Sequence, residues 1–255
     1  MPKRFLFLLA HPDDETFGPG ATIAKYAREG AAVHLATATR GEAGMLGDPP
    51  VTDREHVGEV RSEELRAAAG ILGIAEIHFL GFPDGRLPSV PRERLVERVV
   101  GVVRKVRPHV MVGFGPEGVS MHPDHKVMCE VALAAFDRAA GPAWYPGQLR
   151  SGIRPWAPLK LYQFEIAEEI LAGWDAPLRG VPGESLTSFI DTSAVLETKI
   201  RAFRCHGTQA KDIRRILDRP GYREFARQET YVLARTRLPG LPLPEDDLLA
   251  GVPDE

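Results

Sequence analysis

The sequence predicts a doubly wound α/β fold, a mainly parallel sheet with helices on both faces. Two observations predict it. Short apolar runs of strand length alternate with helix-length amphipathic segments at least four times, the pattern of βαβ units. Two polar motifs, HPDDE (11–15) and HPDH (122–125), each follow one of those runs. Ligands of such sheets bind at the carboxyl ends of the strands.

The elements follow in order. FLFLLA (5–10) has the unbroken hydrophobicity of a strand buried on both faces. ATIAKYAREG (21–30) carries apolar residues at helical spacing and ends on Gly30, a C-cap signal. AVHLATAT (32–39) is a second strand. From Gly41 to Asp53 the chain holds Gly44, Gly47, Pro49 and Pro50 and reads as a loop long enough to act as a lid. A long helix (54–73), a third strand (75–82), an amphipathic helix (92–107) stopped by Pro108, a fourth strand (109–115) and a helix (125–140) come next. KLYQFEI (160–166) is a fifth strand, set in a Pro- and Trp-rich region (143–187) expected to decorate the domain. A short strand (188–193) leads into a helix (195–207), with short helices near 211–218 and 221–228. Residues 238–255 form a Pro-rich acidic tail, expected to pack on the body or on a neighbouring subunit, or to be mobile. Residues 1–255 thus read as a single Rossmann-like domain.

A chain of 255 residues can bury a substantial core, and 44% hydrophobic with 26% charged residues is globular composition. A net charge of −3 offers no electrostatic footprint for nucleic acid. No apolar run is long enough for a transmembrane helix. The start resembles a signal peptide, but its apolar stretch is short and HPDDE stands where a small-residue cleavage site belongs. A cytoplasmic protein is expected. Cys129 and Cys205, the two cysteines, do not make a disulfide framework.

In a sheet of order 3-2-1-4-5, strands one and four meet at the switch point, so the two motifs converge on one crevice. There, His11, Asp14 and His125 would serve as two imidazoles and a carboxylate on a divalent transition metal, leaving a position open for water. The cation would offset three consecutive carboxylates, Asp13, Asp14 and Glu15. Asp13, beside the metal without binding it, is the candidate general base. His122, as an imidazolium, could stabilise an oxyanion or protonate a leaving amine, with Asp124 orienting its ring. The bland reading of HPDDE alone is a charge cluster at a helix N-terminus.

The paired motifs resemble the PIG-L/LmbE-like family of zinc-dependent N-acetylglucosamine deacetylases. The resemblance implies Zn2+ on His11, Asp14 and His125, Asp13 as base, and His122 with Asp124 behind it. TRGEAG (39–44), VRSEELRAAAGILG (60–73), FPDG (82–85) and KIRAFRCHGTQ (199–209) are similar to further family blocks. They imply that Arg61 and Asp84 contact sugar hydroxyls. Arg61 also reads as a helix-surface charge, Asp84 as turn chemistry and His206 as a charge near a helix end. The family implies a small N-acetyl sugar as substrate and a homo-oligomer, trimer or hexamer. Ser120 stands where mycothiol-type members carry Tyr, which weighs against that branch and leaves a GlcNAc-malate type or another small N-acetyl sugar. The absence of a span weighs against integral membrane association.

Two other classes compete. GPGATIA (18–24) opens a helix after strand one, as a dinucleotide-binding oxidoreductase requires. However, Ile23 holds its third glycine position, and strand two ends on Thr39-Arg40 rather than an acid. A non-catalytic metal- or sugar-binding protein would have no need of Asp13.

Overall fold

In the computed structural model, which describes residues 2–150, 152–172, 174 and 178–254, the first apolar run becomes β1 (Arg4–Leu9), with Phe5 to Leu9 fully buried. The further strands are β2 (Ala32–Thr37), β3 (Ile74–Phe79), β4 (Val110–Phe114), β5 (Lys160–Phe164), β6 (Ser188–Asp191) and β7 (Gln228–Thr236). They form one sheet of order β3-β2-β1-β4-β5-β7-β6. The first five strands are parallel and take the expected order; β7 runs antiparallel to both its neighbours. Burial on both faces at the centre of the sheet explains why β1 and β4 are continuously apolar.

The helices are α1 (Asp14–Phe17), α2 (Gly20–Arg28), α3 (Val57–Leu72), α4 (Arg92–Val106), α5 (Pro123–Arg138), α6 (Pro146–Arg150), α7 (Glu168–Leu171), α8 (Leu196–Phe203), α9 (Ala210–Leu217) and α10 (Tyr222–Phe225). Helices α2, α3 and α8 pack together, and α4 packs on α5 over the middle of the sheet. Helix α4 buries Leu95, Val96, Val99, Val100, Val103 and Val106, the stripe its 3.6-residue period dictates. It ends with Arg107 in the left-handed conformation (φ 55°), one residue before Pro108.

Strand β7 departs from the sequence reading. Glu229 and Thr230 are buried in it beside Tyr231, so the polar-out alternation of a half-exposed strand is missing. The helix expected at 221–228 is reduced to the single turn α10.

The acidic tail packs on the body. Residues 188 and 245 form a β-bridge, and Leu248 and Val252 join the core. Lys160 donates to Glu245 at 2.6 Å, and the Tyr162 hydroxyl donates to the same carboxylate. Residue 255, at the end of the tail, and residues 151, 173 and 175–177 of the 143–187 region lie outside the described residues. Part of that region is tied down by the buried Arg104, which donates to the carbonyls of Ala139, Gly141 and Trp144 and to the Gln148 side chain.

Candidate metal centre and active site

The two motifs meet where topology requires, at the carboxyl ends of β1 and β4. His11 and Asp14 lie in the turn from β1 into α1, and His125 in the first turn of α5. His125 Nε2 is 3.1 Å from an Asp14 oxygen and 3.3 Å from His11 Nδ1. His11 Nδ1 is 3.5 Å from the other Asp14 oxygen. Metal–ligand bonds of about 2.0–2.2 Å in a tetrahedron put donors about 3.3–3.6 Å apart. The two ring nitrogens are thus spaced as ligands of one ion are, and the Asp14 carboxylate, which meets each of them through a different oxygen, lies beside both.

Each candidate ligand is held from behind. His11 Nε2 faces Asp84 Oδ1 at 2.9 Å and Asp124 Oδ2 at 3.3 Å, which leaves Nδ1 free for a metal. His125 Nδ1 lies 3.0 Å from the Gly118 carbonyl and 3.1 Å from Ser120 Oγ, leaving Nε2 free. Gly118 is left-handed (φ 64°), and a Cβ there would run into the His125 side chain. Asp14 Oδ2 accepts from the backbone of Ala10 and His11. Burial opposes charge on His11, but bonds from Asp124, Asp14 and Asp84 hold its pKa well above the ordinary value. His125 is likewise raised, against burial, by Asp14. Asp14 is held well below the carboxylate range, against burial, mainly by His125 and His11. The site is built around positive charge.

Asp13 stands beside this triangle at φ 110°, a conformation that costs a non-glycine residue about 1–3 kcal/mol. Its N–H donates to Glu15 Oε2, and its carbonyl accepts from Thr16 and Phe17. Arg61 Nη2 donates to Asp13 Oδ2 at 2.8 Å and to the Pro12 carbonyl, while Nη1 donates to Gly41. A side chain at Gly44 would overlap that guanidinium. Burial pushes the Asp13 pKa up to about 7, against the lowering pull of Arg61.

Four expectations change. Arg61 is buried and its bonds go to Asp13 and two carbonyls, so it holds Asp13 rather than lying on the helix surface. Asp84 turns to His11 and accepts from the Ala43 N–H, so its carboxylate supports the ligand histidine instead of reaching only for sugar. The Asp124 carboxylate accepts from the N–H groups of Gly85 and Leu87 and faces His11. Only its backbone N–H touches the His122 ring, donating to Nδ1 at 3.2 Å. His122 itself has a pKa lowered by burial and by the neighbouring His11 and His125. These influences favour the neutral ring over the imidazolium, and the bond at Nδ1 puts the proton of that neutral ring on Nε2.

Sequence reasoning missed a buried pair behind the site. His206 Nε2 lies 2.6 Å from Glu15 Oε1, with the pKa of His206 raised, against burial, by Glu15. The KIRAFRCHGTQ block was the signal, read there as a helix-end charge. The dinucleotide reading loses its binding site. The first N–H groups of α2, from Ala21 and Thr22, already donate to Glu229 at 3.0 and 2.8 Å, and Lys199 neutralises that carboxylate at 2.7 Å. No pyrophosphate is needed there.

The centre opens into a cavity of about 500 Å³, whose far wall includes Phe17, Phe164, Trp174, Phe203 and Phe225. Among the described residues no helix is long and apolar enough to cross a membrane.

Residues 6–136 match the family described as PIG-L, GlcNAc-PI de-N-acetylase. The chain is 36% identical to a 1D-myo-inositol 2-acetamido-2-deoxy-alpha-D-glucopyranoside deacetylase of Rhodococcus jostii, over 81% of this chain and 82% of the relative. It is 33% identical to the enzyme of that name in Geodermatophilus obscurus, over 98% of each. Its fold is similar to that of the N,N'-diacetylchitobiose deacetylase of Pyrococcus horikoshii, with a TM-score of 0.73, 20% identity and coverage of 90% of this chain and 82% of the other.

Proposed function

The chain belongs to the PIG-L family of GlcNAc-PI de-N-acetylases, and on that premise we propose that it hydrolyses the N-acetyl amide of a GlcNAc-containing small molecule, with zinc held by His11, Asp14 and His125. The products are a free amine and acetate. The approach of His11 and His125 to each other and to the two oxygens of Asp14, at 3.1–3.5 Å, carries this reading. When bound, zinc supplies a Lewis acid and lowers the pKa of water to about 7.

The rest of the chemistry falls to the chain. Asp13, with a pKa of about 7, takes the proton of the attacking water. Arg61 keeps that carboxylate aimed and partly charged. His122 donates from Nε2 toward the acetyl oxygen as negative charge develops on it. The amine leaves with the proton that Asp13 took from the water. Asp84 and Asp124 fix His11, and the aromatic wall faces the group attached to the sugar. Asp84 and Arg61 both line the cavity, which leaves them room for a hydroxyl contact as well.

The names of the curated relatives favour an inositol-linked sugar over a malate-linked one, and Ser120, bonded beside His125, is no bar to it. The same reading carries a cytoplasmic location and a homo-oligomer, trimer or hexamer, which sedimentation tests. The functional test is acetate release from GlcNAc-inositol, GlcNAc-malate and diacetylchitobiose, with and without chelator. Release that a chelator abolishes is expected. No release from any GlcNAc conjugate by metal-replete protein contradicts the reading.

A further inference from the structure

A second group of metal-type ligands lies on the sheet, on residues that do not line the cavity. His34 sits on β2 directly opposite Glu76 of β3, and His78 follows Glu76 by two residues on the same face of that edge strand. His34 Nδ1 is 3.4 Å from His78 Nε2. Glu76 Oε2 is 3.7 Å from His34 Nδ1, and Glu76 Oε1 is 3.6 Å from His78 Nδ1. One ligand atom from each of the three falls within 4.8 Å of the others.

Pairwise hydrogen bonding explains this arrangement poorly. The His–His approach is long for such a bond, and both carboxylate distances are beyond it. The His34 Nδ1–His78 Nε2 separation does suit two donors on one ion, whose tetrahedral edges are about 3.3–3.6 Å, and a Glu76 oxygen lies within 4.8 Å of a donor on each ring. We propose that His34, Glu76 and His78 form a second site for a divalent transition metal, one that staples the edge strand β3 to β2. Two imidazoles with one carboxylate select zinc, cobalt or nickel over magnesium or calcium. Burial lowers the pKa of both histidines, so both offer neutral nitrogens at pH 7. The opposing charges are Lys105, 3.1 Å from Glu76 Oε1, and Arg4. Lys105 is a long, exposed side chain engaged through the Oε1 atom, which leaves Oε2 for the ion.

This inference stands apart from the proposed function. Protein whose first site is already loaded with zinc is titrated with further Zn2+ by calorimetry. One additional, weaker equivalent is expected. His34→Ala and His78→Ala each weaken it by about tenfold or more, with acetate release unchanged, and His11→Ala retains it. The proposal is overturned if the wild type takes up no second equivalent, or if the double variant His34→Ala/His78→Ala takes it up undiminished. Should an alanine variant not fold, carbethoxylation of the wild type gives a second reading by mass spectrometry. Zn2+ must slow modification of His34 and His78; equal rates with and without it overturn the proposal.

Discussion

Asp13 is held between two opposing influences. Burial raises its pKa to about 7, while the Arg61 guanidinium at 2.8 Å lowers it. A base must be deprotonated to act, so activity falls as pH drops through its pKa. A bound dication draws that pKa lower still, which places the acid limb of kcat/KM at or below about pH 7. Removing the guanidinium moves the limb the other way: Arg61→Met should shift it upward, and a pH profile checks this. Asp84 and Asp124 both face His11 Nε2. Asp124→Ala should therefore weaken metal binding about 10–100-fold, the usual effect of losing a partner of a ligand histidine, as metal competition with a chelator would measure. The meeting of the two motifs was legible, because HPDDE and HPDH both follow strands that the topology makes neighbours. The partners of the motif residues were not. Asp124 turns to His11 because the backbone of Gly85 and Leu87 draws its carboxylate there, and that loop comes from a distant part of the chain.

At the level of elements, five parallel strands and the helices between them follow from apolar runs and caps. Strand β7 was hidden by Glu229 and Thr230, polar residues that are buried. Glu229 is there to take the N–H groups of Ala21 and Thr22 and to pair with Lys199. One carboxylate thus joins β7 and α8, which border the cavity, to the start of α2. The pKa of Lys199 is raised by Glu229 despite burial, so the lysine is charged. Glu229→Ala would leave that charge buried and unpaired, a change worth about 3–5 kcal/mol. The expected outcome is a marked fall in the urea midpoint of unfolding.

For the whole molecule, the tail is part of the folded body. The tail reaches the sheet through Glu245, which meets the fully buried Lys160 and Tyr162. Truncation before residue 238 should destabilise the fold, as thermal melting would record. On the proposed reading, metal uptake at His11 and His125 is coupled to protons. His11 and His125 carry raised pKa values, so protons occupy nitrogens that a metal requires. Uptake should release protons and weaken as pH falls from 8 to 6, measurable by calorimetry in buffers of different ionisation enthalpy. The central claim is that His11, Asp14 and His125 hold the ion while Asp13 does the proton transfer. Acetate release by Asp13→Asn, with its zinc content measured in the same preparation, tests it most directly. The account predicts full zinc with turnover reduced by about 10²–10⁴-fold; near-normal kcat in zinc-replete Asp13→Asn would contradict it.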